Sequence, residues 1–207
     1  MADVLDLYAT PDSEAEPTVC VDEKLVQLVR EVRPPVAPKP GQVARVDYEY
    51  HREGTANLFM VVRPSVGWRH VAVTERRTAG DFAEFLRTVV DECCPTARKI
   101  RRVTDNLNTH TLGALYERFP AAEARRMARK LEWHYTPKHG SWLNQVEIEL
   151  GVVERQCLDR RLGSRETLAR EIAAWQERRN TKGARINWRF SIEAARDKVQ
   201  RHYPSNS

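Results

Sequence analysis

Three acidic residues in this 207-residue chain sit where they could share one chemical task. Asp22 closes the short apolar run "TVCVD", Asp105 closes "KIRRVTDN", and Glu147 lies in "SWLNQVEIEL", just after a loop rich in Pro, Lys, His and Gly. Carboxylates that converge repel one another. A hard divalent cation such as Mg²⁺ or Mn²⁺, which prefers oxygen ligands, relieves that repulsion. Two such ions about 3.5–4 Å apart activate a water or a 3′-hydroxyl and stabilise the leaving oxygen at a phosphodiester. Spacing alone does not single these three out from 29 acids, and the alternative for each is a solvated surface carboxylate. Glu149 lies about 200° round a helix from Glu147, so the two cannot face one ion.

The elements that must position these acids can be read from periodicity. Residues 1–17 read as a flexible, loose lead-in. "TVCVD" (18–22) reads as a buried strand with Asp22 at its carboxyl end. The proline-rich 33–41 is a loop. Residues 42–64 alternate, with a hairpin turn expected at 52–55, where Gly54 is free to take positive φ. "WRHVAVTER" (68–76) is the third strand of an antiparallel meander. Residues 78–94 read as a helix with Phe82, Phe85, Leu86, Val89, Val90 and Cys93 on one side and Thr78 as N-cap. A strand over 99–106 ends on Asp105, a short helix spans 111–119, Pro120 interrupts, and a strand follows over 131–137. One long helix is expected from Ser141 to about Cys157, with Leu143, Val146, Leu150 and Val153 facing the core. Helices over 164–182 and 191–203 close the chain. The fold class is α/β: a mixed sheet of three antiparallel and then two parallel strands, flanked by helices, with extra C-terminal helices. If the first and fourth strands are neighbours, their carboxyl ends bring Asp22 and Asp105 together.

Bulk properties narrow the function classes. Hydrophobic residues make up 41% and charged residues 30%, the balance of a globular chain. No run of about 18 apolar residues predicts a membrane span, and the acidic, polar N-terminus does not read as a secretory signal. Cys20, Cys93, Cys94 and Cys157 form no C-x-x-C pair, which predicts reduced thiols and a cytoplasmic protein and leaves a structural zinc site poorly supported. The formal net charge is +5, from 34 Lys and Arg against 29 Asp and Glu. Bases cluster at 98–102, at 125–130 and beyond Arg155, a distribution suited to a polyanion or to solvated helix faces.

The contexts of the three acids add a resemblance. "VDEK" (21–24), "VTDNLNTH" (103–110) and "YTPKHGSWLNQVEIEL" (135–150) resemble the motifs of mariner-like transposases, in particular the bacterial insertion sequence 630 branch. The third motif is the most specific, and the match spans roughly residues 18–203. The resemblance implies an RNase H-like DDE catalytic domain over 18–207. It implies Asp22, Asp105 and Glu147 as the metal-binding triad for Mg²⁺ or Mn²⁺, with two ions. It implies cleavage of DNA at transposon ends and strand transfer into a target, by a homodimer on DNA in the bacterial nucleoid. Asn106, His110 and Asn144 would stand behind the acids or near DNA; the plainer roles are a strand terminator, a surface residue at a helix start and support for a helix cap. Lys24, Arg52, Arg102, Lys138 and His139 are candidate phosphate contacts, or solubilising side chains. Trp142 reads as a core anchor. Family members usually carry N-terminal helix-turn-helix modules, and the arrival of the first acid at residue 22 leaves no room for them. The expectation is a catalytic domain with weak sequence-specific end recognition and salt-sensitive DNA affinity. The competing readings are an inactive DNA-binding remnant of a truncated or split transposase and an RNase H-like nuclease with another substrate.

Overall fold

The computed structural model describes residues 1–33, 38–43 and 48–190. The helix expected over 191–203 and parts of the proline-rich loop lie outside the described residues. The elements run α1 (Ala2–Ala9), β1 (Thr18–Glu31), β2 (Tyr50–Arg63), β3 (Trp68–Thr74), α2 (Ala79–Thr88), β4 (Ile100–Thr104), α3 (Gly113–Arg118), α4 (Ala121–Lys130), β5 (Leu131–Tyr135), α5 (Val146–Val153) and α6 (Arg165–Thr181). They form a five-stranded sheet in the order β3-β2-β1-β4-β5. The first three strands pair antiparallel, and β4 and β5 join parallel.

Alternation along the central strands splits the core in two. Val19 and Val21 of β1, with Phe59 and Val61 of β2, pack under α2, α3 and α4. Cys20 of β1 and Val103 of β4, with Leu58, Met60 and Val62 of β2, pack under α1, α5 and α6. Strands buried on both faces carry continuous apolar runs, as "TVCV" and "LFMVV" do. α2 starts at a full capping box: Thr78 accepts from the Asp81 amide, and the Asp81 side chain accepts from the Thr78 amide. Ser164 caps α6 by accepting from the Thr167 amide.

Several expectations need correction. Residues 2–9 are not a loose lead-in but helix α1, whose Val4, Leu5 and Leu7 are buried in the core. Residues 52–55 are not a hairpin turn. They lie inside β2, where the register shifts by one residue between Gln27 and Val29 of β1, and Gly54 takes φ +94° at that bulge. β1 does not stop at Asp22 but continues to Glu31 in its pairing with β2. Trp142 is 37% exposed and meets Phe190 edge-on at 4.9 Å, rather than anchoring the core.

Candidate metal centre

The sheet register sets the geometry of the first two acids. β1 and β4 pair only over Thr18–Cys20 and Arg101–Val103, and the last pair is Cys20 with Val103. Asp22 and Asp105 each stand two residues beyond that pair. In extended chain, two residues on means the same face of the sheet. Asp22, still within β1, therefore follows Cys20 onto the side covered by α5, and Asp105 stands just past the end of β4, the neighbouring strand about 4.8 Å away.

The third motif arrives by a constrained loop. The Gly140 amide donates to the Pro137 carbonyl at 2.8 Å. A Cβ on Gly140 would stand 2.6 Å from Pro137 Cγ, so only glycine fits this approach. His139 beside it takes φ +62°, a left-handed conformation that costs a non-glycine residue energy. A short 3₁₀ turn, Ser141–Leu143, follows. The chain then breaks at Asn144, with ψ 108°, before α5 begins. The single helix expected from Ser141 is thus interrupted, and the reason is visible at Asn144. Its buried Nδ2 donates to the Val21 carbonyl at 3.0 Å and to Asp22 Oδ2 at 3.3 Å. Its own carbonyl accepts from the Glu147 amide at 3.1 Å. One asparagine thereby ties the first acid to the turn that presents the third.

Asp22 is 6% exposed. Its Oδ1 accepts from the Glu23 amide at 2.8 Å. Burial pushes its carboxyl up to about 7, against the help of that amide, and the charges of Asp105, Glu147 and Glu23 push the same way. The Glu147 carboxyl is also raised, first by desolvation and then by Asp105 and Glu23, while Lys24 pulls it down. All three acids therefore sit within electrostatic reach of one another. Among the described residues, no three His, Cys, Asp or Glu side chains form a ready-made metal cage.

Asp105 is held from behind. His110 Nδ1 lies 2.6 Å from Asp105 Oδ1, and His110 Nε2 lies 2.7 Å from Glu23 Oε2. The ring is fully buried, 4.4 Å from the Phe82 ring. Burial alone would lower the imidazole, but its bonds to Asp105 and Glu23 and their charges outweigh that and raise it to about 9. His110 thus lies buried between two carboxylates that favour its charged form, and is not a surface residue at a helix start. Asn106 is exposed beside it.

The candidate phosphate contacts separate into two groups. Arg52, Lys138 and His139 are exposed. Lys24 is half-buried, with Nζ 3.1 Å from Glu154 Oε2 on the turn after α5. Arg102 does not belong with them, and its expected exposure is corrected: it is 0% exposed, with its guanidinium 3.7 Å from the centre of the Trp133 ring and near Phe82 and Tyr135. An aromatic box shelters the cation, and burial pulls it down to about 9 despite Tyr135 and Asp105.

Glu149 has a different environment from Glu147. It is 1% exposed and clasped by Arg69 at 3.2 Å and by Arg179. The sequence reading missed Glu23 and the Arg69–Arg179 clasp. For Glu23 a signal existed: it follows Asp22 in a strand, so it must point to the opposite face, toward His110.

The donor set fits a hard divalent cation. It offers carboxylate oxygens, the charge of Asp105 raises both Asp22 and Glu147, and the buried amide oxygen Oδ1 of Asn144, beside Asp22, has no hydrogen-bond partner.

Comparison with known proteins follows the same lines. A family model described as DDE superfamily endonuclease matches residues 17–169. No curated protein matches the chain. Among solved structures, the chain is similar to a crystal structure of the Mos1 mariner paired-end complex with Mn, at 17% identity and a TM-score of 0.53, covering 88% of this chain and 55% of that one. It is also similar to the Mos1 strand transfer complex, at 18% identity and a TM-score of 0.54, covering 88% and 54%. The chain thus spans a little over half the length of these structures. The likeness shows the fold, an RNase H-like mixed sheet flanked by helices.

Proposed function

The chain belongs to the DDE superfamily endonucleases, and from that premise we propose that it is the catalytic domain of a transposase of the mariner-like, insertion sequence 630 kind. The reaction proposed is cleavage of DNA at transposon ends and strand transfer into target DNA, by a dimer on DNA in the bacterial nucleoid. Asp22, Asp105 and Glu147 are the residues that would hold Mg²⁺ or Mn²⁺. When bound, two such ions would supply an activated water or 3′-hydroxyl and stabilise the leaving oxygen. The chain's own residues do the rest. Asn144 and the Glu23 amide orient Asp22, and His110 orients Asp105. Lys138 and His139 carry charge or hydrogen-bond donors to the exposed loop before Glu147 for DNA phosphates, Lys24 stands beside Glu147, and Arg52, opposite Val29 at the far end of the β1–β2 pair, would meet DNA only away from the acids.

The observation that carries this reading is the state of Asp22. Folding buries a carboxylate next to two others and supplies it with hydrogen bonds but no close cationic side chain among its charge partners. A structural carboxylate is paired with a base, as Glu149 is. One left unpaired among its own kind fits a site that takes its positive charge from solution.

The test is nicking of supercoiled plasmid DNA in the presence of Mn²⁺ or Mg²⁺. The wild-type chain is expected to nick, and Asp105→Ala to lose that activity. Equal nicking by both, or none by either at any divalent concentration, overturns the reading.

A further inference from the structure

We propose that Glu23 is a positioning residue that orients the first two acids together, holding Asp22 with its backbone and Asp105 through His110. This rests on the metal reading of Asp22, Asp105 and Glu147 above. Glu23 follows Asp22 in β1, so its side chain leaves the opposite face of the sheet. There it does not join the other acids but enters the layer beneath α2, with its side chain almost wholly buried. Its Oε2 stands 2.7 Å from His110 Nε2, an ion-pair contact whose angle is not that of a hydrogen bond, and the other ring nitrogen is hydrogen-bonded to Asp105 Oδ1 at 2.6 Å. The ring has little freedom to slip. Phe82 lies against it, the Thr104 hydroxyl is 3.2 Å from Nδ1, and the Tyr135 hydroxyl donates to the His110 carbonyl at 3.1 Å.

Meanwhile the Glu23 amide donates to Asp22 Oδ1 at 2.8 Å. A single residue therefore reaches both acids by two routes, one through the main chain and one through an imidazole. Without the Glu23 carboxylate, the ring loses the charged group that faces Nε2, one of its two anchors, and Asp105 loses its fixed direction. Loss of a group that orients a metal ligand from behind typically costs about 10- to 100-fold in metal affinity. Among the described residues, the other ion-pair neighbour of Glu23 is Arg77, 3.8 Å away and exposed, which is too far and too solvated to do this work.

Calorimetric titration of the whole chain with Mn²⁺, without DNA, tests the assignment, with thermal unfolding recorded on the same samples. Glu23→Ala is expected to bind Mn²⁺ about 10- to 100-fold more weakly than wild type. Glu23→Gln, whose amide oxygen still faces Nε2, is expected to recover most of that loss. Arg77→Ala is expected to match wild type. If Glu23→Ala does not fold, Glu23→Asp decides instead, because it keeps the charge and shortens the reach: weaker binding supports the assignment and unchanged binding overturns it. Wild-type affinity in Glu23→Ala, or a loss that Glu23→Gln does not recover, overturns the assignment alone. A wild-type chain that binds no Mn²⁺ overturns the metal reading and the assignment with it.

Discussion

Glu147 and Glu149 leave the same helix two residues apart and meet opposite surroundings. Glu149 is buried between Arg69 and Arg179, so its charge is answered inside the fold. Glu147 is exposed on the other side of α5, where Asp105 and Glu23 raise its carboxyl and Lys24 lowers it. Folding has neutralised one carboxylate and left the other in a field of like charge. The first arrangement holds elements together: Glu149 joins α5 to β3 and α6. The second stabilises nothing by itself, and it has a purpose only if a cation arrives. The contrast separates two roles in this molecule: Glu149, clasped by two arginines, holds the scaffold, while Asp22 and Glu147, which no arginine among the described residues clasps, stand with the His110-backed Asp105 at the site.

The sharpest break of that separation is between activity and stability. Asp22→Asn is expected to abolish metal-dependent DNA nicking by about a thousandfold or more, since ions at such sites supply several kcal/mol of transition-state stabilisation. Its folding stability at neutral pH should stay level or rise, because a repelled buried charge is removed. Urea unfolding beside the nicking assay reads both.

Glu149→Ala should behave in the reverse way. Removing it leaves Arg69 buried without its carboxylate, at a cost of about 3–5 kcal/mol in urea unfolding. A surface-like loss below about 1 kcal/mol would dissolve the distinction between the two glutamates.

The pH dependence sharpens the same comparison. The Asp22 carboxyl is raised from 3.8 to about 7, so between those values the folded chain binds more protons than the unfolded one. The Asp22 contribution to metal-free stability must then fall as pH rises from about 4 to 7, on the order of 3 kcal/mol at most. The difference in unfolding free energy between wild type and Asp22→Asn across that range isolates it, and added Mn²⁺ should erase it at neutral pH.

Asn144→Ala is a milder test. It removes the donor that links Asp22 to the third motif and is expected to weaken Mn²⁺ binding about tenfold in a calorimetric titration. The smallest effect is at the rim. Lys138→Ala should lower DNA affinity slightly and reduce the salt dependence of binding by about one charge.

The sheet was readable because its signals are local. The apolar run "TVCV", the alternation in "WRHVAV" and the cap at Thr78 each fit within a few residues, and each reappears in the fold. The places where reading failed depend on contacts far apart in sequence. Arg102 is sheltered by Phe82, Trp133 and Tyr135, none of them its sequence neighbour, so its charge suggested a surface. α1 has eight residues and only one strong apolar cluster, and its helix depends on the core it covers. Asn144 breaks a helical pattern because its side chain is needed at Val21 and Asp22, more than 120 positions earlier. The three acids were legible as candidates, but the contrast between Glu147 and Glu149 needed the arginines of β3 and α6.

The most direct test of the central claim is the location of the ion itself. Crystals of the chain soaked in Mn²⁺ and measured for anomalous scattering should show a peak among the carboxylates of Asp22, Asp105 and Glu147, and none beside Glu149. A peak elsewhere, or no peak with saturating Mn²⁺, would contradict the account.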